Sequence, residues 1–234
     1  MDSWEHGWPL ANCNFSQVTA VALAIQRGTA IAVSDGSYMP KRSTAVASAA
    51  FKLLDTVTGE CCEGQTLVSG TEKEVNAYRA ELQGIHADLL LILAVCSFFE
   101  IRQGSAQVYC DNEKGIMLSS KNWLQLALKT KHVDLIRAIH KLVKEIPIDI
   151  GFTHVYGHQD DASSTLHLDL PTRINIEMDY KAKLYLRSEL DRLDGSICPQ
   201  EIEREGWRCW VGDVKLTTDP ATTIRRSCPP PGAV

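Results

Sequence analysis

Ala30-Ile31-Ala32-Val33-Ser34-Asp35-Gly36-Ser37 is the stretch on which the reading of this chain turns. A short run of small and β-branched residues that stops at an Asp-Gly pair predicts a strand feeding a turn. A second stretch repeats the arrangement, with Val108-Tyr109-Cys110 ending at Asp111-Asn112. In sheets whose strands run parallel, functional groups gather at the carboxyl ends, where loops open to solvent. If these two strands are parallel neighbours, Asp35 and Asp111 meet.

Around this pair the pattern fills in. Residues 44–54 are small and β-tolerant, Thr58-Gly59 makes a turn, and a weaker strand over 65–69 completes a three-strand meander. Residues 74–99 carry the longest helical pattern, with Tyr78, Leu82, Ile85, Leu89 and Ile92 recurring at spacings of three and four. A strand over 107–110, a short helix over 114–119 and one or two helices over 123–146 follow, ended by Pro147. Residues 148–156 read as a strand running into Gly157-His158, and 172–193 as a last helix. The order β-β-β-α-β-α-β-α predicts an α/β fold, a five-stranded mixed sheet flanked by helices. Residues 1–28 form an N-terminal arm, read as a short helix or a packed extension. Residues 29–193 form the main domain, and residues 194–234 an irregular, Pro-containing tail.

Composition bounds the function. The chain has 234 residues, 44% hydrophobic and 23% charged, which is globular composition. A net charge of −5 excludes a globally basic nucleic-acid coat but not a local basic patch. The longest apolar runs, 89–95 and 18–25, fall short of the roughly 20 residues a membrane span needs. Asp2 and Glu5 stand where a secretory signal carries bases, so no signal peptide or membrane segment is expected, and the expected location is intracellular. Eight cysteines include no Cys-x-x-Cys pair, which argues against structural zinc and for reduced thiols.

Four acids stand out. Asp35 and Asp111 end apolar strands, Glu81 lies on the long helix among Tyr78, Leu82 and Ile85, and Asp179 lies in the last helix. A charge on an apolar face costs free energy unless paired or bound to metal. Converging carboxylates raise one another's pKa, and a divalent cation removes that penalty. Hard oxygen ligands favour Mg²⁺, with Mn²⁺ as the substitute, and two ions about 3.5–4 Å apart suit phosphodiester chemistry. Each acid also has an ordinary reading. Asp35-Gly36 makes a turn, Asp111-Asn112 caps a helix, Glu81 is a solvated helix acid, and Asp179 pairs with Lys183 at i+4.

In this order the motifs resemble ribonuclease H type 1, specifically the domain of retroelement reverse transcriptase polyproteins. The matching pieces are Val33-Ser-Asp-Gly-Ser37, Ala77-Tyr-Arg-Ala-Glu-Leu-Gln-Gly84, Val108-Tyr-Cys-Asp-Asn112, His154-Val-Tyr-Gly-His158 and Asn175-Ile-Glu-Met-Asp179. The resemblance implies a ribonuclease H-like fold and metal-dependent endonucleolytic cutting of the RNA strand of RNA–DNA hybrids. It implies Asp35, Glu81, Asp111 and Asp179 as ligands of two Mg²⁺ ions, and His158 as a mobile-loop residue assisting turnover. It further implies substrate contacts from Gly36, Ser37 and Asn112, and a possible reverse transcriptase partner domain. Two departures stand against the compact pattern. His158 and Asp179 are 21 positions apart, with Asp160, Asp161 and Asp169 between them as competitors for the fourth acid, and Lys181 replaces an apolar residue.

Binding a hybrid needs cations near phosphates. Residues 113–145 carry seven bases against three acids, net +4, leaving −9 for the rest. This segment resembles the family's basic handle, with Lys129, Lys131 and Lys141 as its candidate phosphate contacts and Trp123 beside them; the ordinary alternative is a solvated amphipathic helix with Trp123 in the core. Two rival readings use the same fold: a decayed retroelement fragment that binds nucleic acid without cutting it, and a transposase- or integrase-type nuclease.

Overall fold

The computed structural model describes residues 12–14, 16–70, 72–120, 130–157, 167–192, 202, 210–211, 214–215 and 217. Its elements in chain order are β1 (Asn12–Asn14), α1 (Val18–Arg27), β2 (Ala30–Tyr38), β3 (Ala47–Asp55), β4 (Cys61–Leu67), α2 (Ala77–Phe98) and β5 (Ser105–Cys110). There follow α3 (Glu113–Ser120), α4 (Val133–Glu145), β6 (Asp149–His154), α5 (Leu170–Arg192) and a small hairpin, β7 (Trp210–Val211) and β8 (Val214–Lys215). The sheet order is β1-β4-β3-β2-β5-β6. The meander β2-β3-β4 is antiparallel, whereas β2-β5 and β5-β6 are parallel. This is the expected mixed sheet of five strands, extended at one edge by the three-residue β1, which pairs antiparallel with β4.

β3 explains why helices cover both faces. All nine of its residues, Ala-Ser-Ala-Ala-Phe-Lys-Leu-Leu-Asp, are buried, and its run of small side chains lets layers close in from either side. On one face α1, α2 and α4 pack with the strands into the main core, where Ile25, Phe51, Leu82, Leu89, Val108, Ile136 and Ile139 are fully enclosed. On the other, α5 sets Ile174, Met178 and Ala182 against Ile31, Val33, Ala50 and Leu54. α2 is long and apolar enough by composition to cross a membrane, contrary to the expectation from run length alone, but most of that apolar length is buried in this core.

Polar contacts set the angles of α2 and α5. Arg79, in the first turn of α2, is completely buried and makes a bidentate pair with Asp134 of α4 at 3.1 and 2.8 Å. Its Nε donates to the Ser69 carbonyl, and Nη1 lies 3.2 Å from His132 Nδ1. Burial, then the adjacent guanidinium, keeps His132 neutral, its pKa pushed down to about 4. Across the sheet, Lys52 meets Glu177 at 2.6 Å and Glu63 at 2.9 Å, while Lys181 meets the same two carboxylates at 2.7 and 2.6 Å. That closed ring of four charges joins β3, β4 and α5. It accounts for Lys181 at a position where an apolar residue was expected.

Segments outside residues 29–193 also contribute to the core. α1 buries Val21, Ala22, Ala24 and Ile25 in the main core. In the C-terminal region, Ile202 is fully buried in the same core, and the Thr217 carbonyl accepts the Val133 N–H at the start of α4. Among the described residues, Cys61, Cys62, Cys96 and Cys110 are free thiols.

Candidate metal centre

The candidate acids are gathered by a divergence of two strand pairings. β2 pairs with β5 from Ala30↔Ala106 to Val33↔Tyr109 and no further, while its antiparallel pairing with β3 runs on to Tyr38↔Ala47. Asp35 therefore lies inside a strand, opposite Ala50, and the Asp-Gly pair is not the turn the sequence suggested. Beyond Val33 the β5 edge of β2 opens, and Asp35 stands at the opening, just ahead of Asp111 at the end of β5.

Gly36 brings the third acid in. A Cβ on Gly36 would lie 2.5 Å from the backbone of Ala80 and Glu81, so only glycine lets the first turns of α2 rest on β2 here. The helix begins at Asn76, whose side chain accepts the Arg79 N–H at 3.0 Å. That contact places Glu81 so that its Oε2 accepts the Gly36 N–H at 3.1 Å. Gly157, after β6, closes the other side: a Cβ there would meet Asp111 Oδ2 at 2.4 Å.

The electrostatics follow from this convergence. Asp35 is held well above the usual carboxylate range, first by burial, then by the charges of Asp111 and Asp179. Glu81 is raised likewise by burial, then by Asp35 and Asp111. Asp179 joins from α5 and, as its ordinary reading supposed, also pairs with Lys183 at 2.6 Å. Lys183 partly offsets the Asp35 charge as well. Of the competitors for the fourth position, Asp169 instead caps α5, its Oδ1 accepting the Thr172 N–H at 3.0 Å. Asp160 and Asp161 lie outside the described residues, as do His158, Lys129 and Trp123.

The other candidates are placed as follows. Ser37 is buried on β2. The Asn112 side chain accepts the Gly115 N–H at 2.8 Å, making it the cap of α3. Lys131 is exposed just before α4, and Lys141 lies 3.8 Å from Glu145 on the outer side of that helix. Cys110, which was not among the candidates, is part of the site: its thiol donates towards Glu81 Oε2 at 3.6 Å and accepts the Asn112 N–H at 3.5 Å. Ligand atoms of Glu81, Cys110 and Asp111 all lie within 4.8 Å of one another. The strict in-out alternation of β5 could have shown that Cys110 faces the same side as α2.

A mixed sheet of five main strands in the order β4-β3-β2-β5-β6 with helices on both faces is the ribonuclease H-like fold. No protein-family model matches the chain, and no curated protein matches it. Among solved structures, it is similar to the N-terminal RNase H domain of Rv2228c from Mycobacterium tuberculosis, at 12% identity and a TM-score of 0.47, over 68% of this chain and 96% of that one. It is similar to compost-derived LC11-RNase H1 in complex with RNA/DNA hybrid, at 13% identity and TM-score 0.48, over 69% and 99%. It is also similar to a foamy viral protease-reverse transcriptase in complex with RNA/DNA hybrid, at 14% identity and TM-score 0.48, over 70% of this chain and 21% of that one.

Proposed function

We propose that this chain is a divalent-metal-dependent endoribonuclease that cuts the RNA strand of RNA–DNA hybrids and derives from a retroelement. The observation that carries the reading is geometric: Glu81 of α2 accepts the N–H of Gly36, the residue after Asp35, at 3.1 Å, and its ligand atom lies within 4.8 Å of those of Cys110 and Asp111. The fit to metal rests on the donor set. Glu81 and Asp111 offer ligand atoms within 4.8 Å of each other and of the Cys110 thiol, Asp35 feels the charges of Asp111 and Asp179, and Lys183 offsets part of that charge. Hard oxygens in that arrangement suit Mg²⁺ or Mn²⁺. Asp35, Glu81, Asp111 and Asp179 would hold two such ions, which when bound supply the positive charge for attack by water and departure of the 3′-oxygen.

The chain's own residues do the rest. Gly36 N–H and the Cys110 thiol orient the Glu81 carboxylate. The Arg79–Asp134 pair fixes the helix that carries it. Lys183 pairs with Asp179 at 2.6 Å and so positions its carboxylate. His158 is assigned to turnover, Gly36, Ser37 and Asn112 to backbone-level contact with the substrate, and Lys129, Lys131 and Lys141 to its phosphates. Residues 29–193 form the catalytic unit, and a reverse transcriptase domain is its natural partner.

The test is incubation with labelled RNA–DNA hybrid, double-stranded RNA and duplex DNA, each with Mg²⁺ and with EDTA. Cleavage of the hybrid's RNA strand alone, abolished by EDTA, is the expected result. Binding without cutting would favour the decayed fragment, and DNA strand joining the integrase-type reading.

A further inference from the structure

The tetrapeptide His154-Val155-Tyr156-Gly157 leads out of β6 and is fastened to the end of β5. His154 Nε2 lies 3.0 Å from the Asp111 carbonyl oxygen, and the Val155 N–H donates to the Cys110 carbonyl at 3.1 Å. Gly157 rests on the Asp111 carboxylate itself. Between these anchors, Tyr156 is 72% exposed. Its ring is not loose, because His154 meets it edge-to-face, with centroids 5.2 Å apart and planes at 79°.

Single exposed aromatics are ordinary on protein surfaces. This one differs in its mounting. The histidine that steadies the ring also touches the backbone of Asp111, and the next residue touches the Asp111 side chain. An exposed aromatic surface is thereby held one residue from the glycine that rests on the Asp111 carboxylate. A phosphodiester brought to those acids carries its flanking sugars with it, whereas the bases of a hybrid are paired and stacked in the interior. A neutral ring at that point meets ribose.

We infer that Tyr156 is a substrate-positioning residue whose ring packs on the ribose beside the phosphate presented to Asp111. The inference rests on the reading of the cluster as a hybrid-cutting centre. It makes a prediction that a phosphate contact would not. Removing the ring weakens binding without altering its salt dependence, because no counterion is released by an uncharged contact.

The test uses the full chain carrying Asp35→Asn, so that the substrate survives, and fluorescence anisotropy with a labelled RNA–DNA hybrid across a salt series. Tyr156→Ala should weaken binding roughly five- to tenfold, on the scale of aromatic contacts to nucleic acid. Tyr156→Phe should bind like the parent, and both should keep its salt slope and Tm. Equal affinity of Tyr156→Ala and parent, or a shallower salt slope in Tyr156→Ala, would overturn the inference while leaving the hybrid-binding reading intact. A parent chain that binds no hybrid would overturn both.

Discussion

Asp134→Ala tests the buried frame behind the candidate centre. In the folded chain the Arg79 guanidinium has no access to solvent, and Asp134 supplies the opposing charge through two hydrogen bonds at 2.8 and 3.1 Å. The Ser69 carbonyl and hydroxyl and a neutral His132 are further neighbours, and the Glu74 carboxylate approaches the same side of the guanidinium across Gly70. Truncating Asp134 removes the bidentate counter-charge from a buried guanidinium, which costs about 3–5 kcal/mol. At about 2–4 °C per kcal/mol for a domain of this size, Tm should fall by roughly 6–20 °C. Replacing both partners, with Arg79→Met and Asp134→Leu, should recover most of the loss, because apolar residues of similar volume fill the space without a charge to solvate. Urea and thermal unfolding of the two variants measure this. A loss below about 1 kcal/mol for Asp134→Ala, or a double variant no more stable than the single, would refute a charge-dependent latch.

Asp35→Asn should abolish Mg²⁺-dependent cleavage and, without metal, raise Tm. Asp35 has a folded-state pKa above its unfolded value, so ion-free stability is full below about pH 4 and declines as pH rises towards the folded pKa. The variant's advantage should therefore be present near neutrality and vanish at pH 3. Charge reversal of Lys129, Lys131 and Lys141 should weaken hybrid binding and flatten its salt dependence, measured by anisotropy, and unchanged affinity and slope would remove this segment as a phosphate contact. Ile202→Ala should destabilise the fold by about 2–5 kcal/mol in urea unfolding, since Ile202 is fully enclosed in the main core.

The sheet and its long helices were legible because their signals are local. Apolar runs ended at Asp-Gly, Asp-Asn and Gly-His, and α2 showed a helical stripe across its first four turns. The parallel pairing of β2 with β5 was conditional in the sequence and is present in the fold. The misplaced details depend on distant partners. β4 was expected at 65–69 and runs from Cys61 to Leu67, because Glu63 looks unsuited to a packed strand until Lys52 and Lys181 are seen to neutralise it. Asp35-Gly36 read as a turn because nothing local reveals that α2 will press on Gly36. The Arg79–Asp134 pair spans 55 positions and leaves no periodic trace, and Ile202 gives no sign of belonging to a core that closes far upstream.

The claim beneath all of this is that acids from four separate elements hold ions together. Electron paramagnetic resonance of a Mn²⁺ titration tests it without reference to turnover. The full chain should take up two ions, and Asp35→Asn should lose at least one of them. Uptake of the same number with the same affinity by both proteins would contradict the account.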